Sequence, residues 1–101
     1  MKKLRHVVLF CFKAEVSDQK VAEVNRAFGE LKQSVQELND FEMGTNNSPE
    51  GIARGYTHAY LLTFLSEEDR AVYLQHPAHK AFQQLADPTL DQVLAFDYWA
   101  Q

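Results

Sequence analysis

The segment from Tyr73 to His79 holds the residues most suited to chemistry, because a tyrosine and a histidine lie on either side of a proline. Pro77 cannot continue the helix that precedes it in the sequence, so it predicts a break that fixes how two helical pieces meet. We expect the break to place Tyr73 and His79 near one corner of the fold. There a tyrosine hydroxyl can hold or polarise a carbonyl group while a nearby imidazole takes a proton from the adjacent carbon. This pair is the candidate catalytic centre.

Two further histidines, His6 and His58, lie in predicted strands rather than in helices. His6 shares parity with Val8 and Phe10, and His58 shares parity with Tyr60 and Leu62, so each ring can point into an apolar layer. Such an imidazole suits proton transfer, because small changes in its surroundings shift its pKa across the physiological range. The alternative is a hydrogen-bonded histidine of the core. Asp97, in the last predicted strand, either orients a histidine or makes a strand-edge or dimer contact.

A metal site is not predicted, although His76 and His79 form a His-x-x-His spacing that can place two ligands on one helix face. Pro77 disrupts the helix between them, and no third ligand follows at a recognisable spacing. We expect His76 to cap a helix instead. Cys11, the single cysteine, lies inside a predicted strand rather than at a helix N-terminus, so it is a poor nucleophile and forms no internal disulfide.

The elements that must position these residues follow the order β-α-β-β-α-β. The predicted strands cover residues 4–12, 41–46, 56–64 and 93–99. Ser17 is the predicted N-cap of a long amphipathic helix, and Ser66 that of a second helix, which the proline breaks in two. The apolar stripe of the first helix consists of Val21, Val24, Phe28, Leu31, Val35 and Leu38.

This order predicts a ferredoxin-like α+β fold, a four-stranded antiparallel sheet with helices on one face. The first, third and fourth strands carry apolar residues at both parities, so the second face of the sheet also needs a cover. A second copy of the chain is its natural partner. We therefore predict a homodimer that pairs sheet to sheet.

Composition narrows the remaining classes of protein. At 101 residues, of which 46% are hydrophobic, the chain is expected to form a single domain over residues 1–101. A net charge of −4 without a Lys/Arg cluster argues against binding to nucleic acid. No apolar run approaches the roughly 20 residues that span a bilayer, and no signal peptide is evident. The lone cysteine fits a reducing compartment, so we predict a soluble, cytoplasmic protein without membrane association.

Several stretches together resemble the stress-responsive A/B-barrel family, the dimeric α+β barrel proteins abbreviated Dabb. These stretches are residues 5–10 (RHVVLF), 44–50 (GTNNSPE), 55–58 (GYTH), 73–79 (YLQHPAH) and 96–98 (FDY). The resemblance extends over nearly the whole chain. It implies a ferredoxin-like protomer whose sheet packs against that of its twin to form a barrel.

The resemblance also extends to family members that close a linear polyketide by aldol condensation without a cofactor. It implies that His79 is the general base, that Tyr73 holds the carbonyl, and that His6 and His58 line the same pocket. Phe28 lies where such cyclases have a pocket tyrosine, so it is a candidate substrate-binding residue.

Two functions therefore remain open at this point. One is a cofactor-independent aldol-type cyclase or lyase that acts on a small carbonyl-containing or aromatic ligand. The other is a non-catalytic stress-response or ligand-binding dimer.

Overall fold

A computed structural model describes residues 2–101 and shows the ferredoxin-like α+β fold that the sequence predicts. Its elements are β1 (Leu4–Phe12), α1 (Asp18–Ser34), β2 (Asp40–Thr45), β3 (His58–Phe64), α2 (Glu67–Gln75), α3 (Pro77–Ala86), a 3-10 turn (Asp87–Thr89) and β4 (Leu90–Trp99). The four strands form one antiparallel sheet in the order β2-β3-β1-β4. Within residues 2–101, no helix is both long enough and apolar enough to cross a membrane.

Helix α1 begins at its predicted cap but ends earlier than its apolar stripe. The Ser17 side chain accepts a hydrogen bond from the Lys20 amide at 3.1 Å, which satisfies one of the free donors at the helix start. Val35 already has extended backbone angles, with φ −120° and ψ 107°, so the helix stops at Ser34. Val35 and Leu38 are nevertheless fully buried. The apolar stripe thus continues past the end of the helix into the buried segment that leads to β2. This is possible because periodic apolar spacing indicates which residues are buried but does not fix where a helix ends.

The predicted break between the second and third helices is confirmed. Helix α2 is capped by Ser66, whose side chain accepts from the Asp69 amide at 3.0 Å. His76 then adopts extended backbone angles, and Pro77 opens α3. The His76 Nδ1 atom accepts from the Ala78 amide at 3.0 Å, so His76 is the helix cap that the sequence predicts.

Strand β2 lies one residue earlier than predicted, and two other strands begin two or three residues from their predicted starts for local reasons. β3 begins at His58 rather than at Tyr56, because the Tyr56 amide donates to the Ala53 carbonyl and thereby closes a turn. β4 begins at Leu90, before the predicted Val93, because the 3-10 turn leads directly into pairing with β1.

The sheet has a helix-side face and an outer face, both largely apolar. The helix-side face carries Leu4, His6, Val8, Phe10, Tyr60, Leu62 and Phe64, all buried. Helix α1 packs Val24, Phe28 and Leu31 onto this face. The outer face carries Val7, Leu9, Leu61, Leu94, Phe96 and Tyr98. Phe96 is 61% exposed in the protomer, so a large apolar surface remains uncovered.

Candidate active site

A cavity of about 460 Å³ lies between the helix-side face of the sheet and the break between α2 and α3. Its lining residues are His6, Val8, Phe10, Phe28, Tyr73, Leu74, His79, Phe82, Gln83, Asp87, Leu90, Asp91, Gln92, Val93 and Ala95. Val93 lies on the helix-side face of β4 yet is 57% exposed. The cavity is therefore open along β4, and its size and mostly apolar lining suit a small organic molecule.

The helix break brings Tyr73 and His79 into direct contact at the cavity wall. Their ring centroids are 4.4 Å apart with an interplanar angle of 41°. The His79 Nδ1 atom lies 3.2 Å from the Leu74 carbonyl oxygen, and because a carbonyl can only accept, Nδ1 carries the hydrogen. In the neutral ring, Nε2 is then the nitrogen with a free lone pair. A general base requires such an unprotonated ring nitrogen.

The surroundings of His79 favour its neutral form. Burial lowers the pKa of His79 below the 6.5 of a free histidine, and the nearby His6 lowers it further. The hydrogen bond to the Leu74 carbonyl and the negative charge of Asp87 oppose this pKa shift but do not cancel it. At neutral pH the imidazole is therefore unprotonated and able to take up a proton.

The hydroxyl of Tyr73 is a free donor at the same wall. Tyr73 is only 1% exposed, yet among residues 2–101 its hydroxyl has no hydrogen-bond partner, whereas the buried Tyr60 hydroxyl donates to Asn25. Because no fully occluded side-chain oxygen or nitrogen of the described residues lacks a partner, the Tyr73 hydroxyl must border open space. Burial raises the pKa of Tyr73 well above its usual value, so the hydroxyl keeps its proton and can donate it in a hydrogen bond.

A second imidazole, that of His6, lies beside Tyr73 and is held by a charged pair. The β1–β4 register places His6 opposite Asp97, and the His6 Nδ1 and Asp97 Oδ1 atoms are 2.7 Å apart. Arg70 donates from Nη1 to the other carboxylate oxygen at 2.8 Å. The ring centroid of His6 lies 6.3 Å from that of Tyr73 in an edge-on arrangement. Asp97 thus orients a histidine, which is one of the two roles considered from the sequence.

The structure brings four of the five predicted site residues to this cavity: His6, Phe28, Tyr73 and His79. It does not bring His58 there. His58 pairs with Phe10, further along β1 than His6, and its ring packs edge-on against Phe12 with a centroid distance of 5.2 Å.

His58 also lies 2.8 Å from the Thr57 hydroxyl and lines a separate cavity of about 450 Å³. Burial lowers the pKa of its imidazole as well. Sequence parity predicted the face of the sheet to which His58 points but carried no information about its position along the strand.

Sequence reasoning missed Arg70 and Asp87. Arg70 lies three residues before Tyr73 on α2, a spacing that puts both on one helix face, so this signal was present. Asp87 has no comparable signal, because its place at the cavity depends on where α3 ends. Within residues 2–101, no group of three or more His, Cys, Asp or Glu side chains is arranged to hold a metal ion.

The chain is similar in sequence to known proteins along most of its length. The chain is 37% identical to the stress-response A/B barrel domain-containing protein HS1 of Arabidopsis thaliana, over 94% of this chain and 87% of that protein. It is 27% identical to olivetolic acid cyclase of Cannabis sativa, with 94% of each chain covered.

Two solved structures are similar throughout. Hydroxynitrile lyase from Passiflora edulis superposes with a TM-score of 0.93 at 26% identity, covering 98% of this chain and 94% of the lyase. A dimeric ferredoxin-like protein from Thermobifida fusca superposes with a TM-score of 0.81 at 26% identity, covering 98% of this chain and 92% of its own. The family model of the stress responsive A/B barrel domain matches residues 4–100. The chain therefore belongs to the stress-responsive A/B barrel domain family.

Proposed function

We propose that this chain is a homodimeric A/B-barrel enzyme that catalyses proton transfer beside the carbonyl group of a small molecule, as a cofactor-independent cyclase or lyase. The observation that carries the proposal is the contact between Tyr73 and His79 at the cavity wall. Tyr73 supplies a protonated hydroxyl without a hydrogen-bond partner among residues 2–101, and His79 supplies an imidazole whose Nε2 is free.

The two side chains divide the reaction between them. His79 Nε2 takes a proton from the carbon next to the carbonyl, and the electrons of that C–H bond form an enolate. The Tyr73 hydroxyl donates a hydrogen bond to the enolate oxygen, where negative charge develops. The enolate carbon then attacks a second carbonyl of the same molecule, and the imidazolium returns its proton to the new alkoxide. No cofactor is needed for this sequence.

The same pair also suits cleavage of a hydroxynitrile. His79 would take the proton of the hydroxyl group, the bond to the nitrile carbon would break, and the imidazolium would protonate the released cyanide. The carbonyl oxygen formed in this step would lie against the Tyr73 hydroxyl. Relatives named as a cyclase and a hydroxynitrile lyase support this choice of reaction classes.

The remaining lining supports binding of the substrate. His6, held by Asp97, offers a second imidazole beside Tyr73. Phe28 packs against Phe82 with a centroid distance of 4.4 Å, and both rings add apolar surface to the cavity wall. The substrate would then place a carbonyl at Tyr73 and an apolar body against Phe28.

The homodimer part of the proposal rests on the outer face of the sheet. Two copies of this face would cover each other and form a barrel, which removes a large apolar surface from water. The dimeric Thermobifida fusca protein, similar over nearly all of its length, supports this arrangement. The cavity lies on the opposite side of the sheet, so each protomer would keep its own site.

A panel of linear β-polyketone thioesters and hydroxynitriles, assayed with the parent protein and with His79→Gln, tests the catalytic proposal. At least one class should be turned over, and His79→Gln should lower kcat by about 10²- to 10⁴-fold, the usual contribution of a general base. His58→Gln is the matched control, because the structure places that histidine outside the cavity.

Equal turnover by the parent and His79→Gln would remove His79 as the base. If compounds of the panel bind in the cavity but none is turned over, the protein is a non-catalytic ligand-binding dimer, which is the alternative that the mostly apolar lining also permits.

A further inference from the structure

The permanently charged residues that line the cavity are both acidic. None of its 15 lining residues is a lysine or an arginine, whereas Asp87 and Asp91 lie at its open side. Both aspartates are exposed, and the charge of Asp87 favours protonation of His79, whereas Lys80, which does not line the cavity, opposes it. The Arg70 guanidinium does not line the cavity, and it already donates a hydrogen bond to Asp97 on β4.

Neither histidine offers an incoming ligand an unpaired positive charge. Burial lowers the pKa of His79, so its ring is neutral at pH 7. His6 directs its Nδ1 atom to the Asp97 carboxylate. A carboxylate that entered the cavity would lose water without gaining an ion pair, and it would pass two like charges on the way.

We propose that the cavity selects uncharged carbonyl compounds with an apolar or aromatic body and rejects the corresponding carboxylates. The carbonyl preference rests on the proposed function, because it uses the Tyr73 hydroxyl. The charge preference follows from the lining alone and holds whether or not the bound compound is turned over.

Two small probes that differ in little but charge test this selection. 4-Phenylbutan-2-one and 3-phenylpropanoate share a phenyl group, a two-carbon spacer and a carbonyl carbon, and they differ by a methyl group in place of a charged oxygen. We expect the ketone to shift the NMR resonances of Tyr73 and His79. The acid should bind at least about tenfold more weakly, which corresponds to about 1.4 kcal/mol.

The double variant Asp87→Asn/Asp91→Asn should raise the affinity of the acid by a larger factor than it changes the affinity of the ketone. The control is Glu15→Gln/Glu50→Gln, which removes two exposed carboxylates outside the lining and changes the net charge equally. High salt should also reduce the ratio of ketone affinity to acid affinity in the unmodified protein, because exposed charges are screened.

The selection would be overturned if the acid bound as tightly as the ketone, if neither compound bound, or if the Asp variants left the ratio unchanged. If the Glu control reduced the ratio of ketone affinity to acid affinity as much as the Asp variant does, the effect would come from net charge, and the proposed selection would be overturned too. Selective binding without turnover would instead contradict only the catalytic proposal, so the two failures are distinguishable.

Discussion

Replacing Phe96 with lysine is expected to separate the proposed dimer, because Phe96 is the most exposed large apolar side chain of the outer face, at 61%. Full burial of a phenylalanine is worth about 1.5–3 kcal/mol, so covering its exposed part contributes about 1–2 kcal/mol in each copy. A two-fold symmetric interface contains the residue twice. The substitution should therefore cost about 2–4 kcal/mol and weaken the dimer Kd by about 30- to 1,000-fold. The desolvation of two lysine ammonium groups adds to this loss.

Sedimentation velocity over a wide range of protein concentrations measures the change in dimer Kd. Val72→Lys is the matched control, because it makes the same substitution at a 44% exposed position on α2, away from the outer face. A Phe96→Lys protein that dimerises as tightly as the control would refute the interface. A parent protein that sediments as a compact monomer at micromolar concentration would refute the dimer itself.

Three further substitutions separate stability from function. Tyr73→Phe removes a hydroxyl without a partner among residues 2–101, so the free energy of unfolding should change by less than about 1 kcal/mol, while kcat falls by about 10²- to 10³-fold. Urea denaturation and kinetics measure the two effects, and a large loss of stability would assign the hydroxyl a structural role. Arg70→Met should lower kcat/KM by about 10- to 100-fold by releasing the Asp97–His6 pair, yet cost at most about 1 kcal/mol of stability. Two measurements on Arg70→Lys check this positioning role: kcat/KM should be restored, and ¹⁵N NMR should show an unchanged His6 tautomer. Unaltered kinetics in Arg70→Met would contradict the role. For His79, burial lowers the folded pKa below 6.5, so the unfolded chain binds the proton first and stability is lost as the pH falls from about 6.5 to the folded pKa. His79→Gln should remove part of this acid-side loss in urea denaturation at neutral and mildly acidic pH, and an unchanged pH dependence would show that burial of this imidazole has no such effect.

Local signals in the sequence predicted most of the fold. Ser17 and Ser66 were predicted to cap α1 and α2, and both accept the expected backbone hydrogen bond. Pro77 was predicted to break the last helical region, and it does. These features are local, because a cap or a proline acts on residues within one helical turn. The corner formed by Tyr73 and His79 followed from the same break.

Features that depend on strand register were not predictable in the same way. His6 and Asp97 lie 91 residues apart in the chain and meet because β1 and β4 are neighbours in that register. His58 was expected in the same pocket as His6, but the pairing of β3 with β1 places it opposite Phe10 instead. Periodicity of two assigns a side chain to a face of the sheet, whereas only the paired register assigns its position along that face.

A crystal structure of the protein with 4-phenylbutan-2-one tests the central claim most directly. We predict that the ketone lies in the cavity with its oxygen about 2.6–3.2 Å from the Tyr73 hydroxyl and its adjacent carbon facing His79 Nε2. A ketone bound beside His58 in the second cavity, or a corner at Tyr73 and His79 that admits no ligand, would contradict the claim.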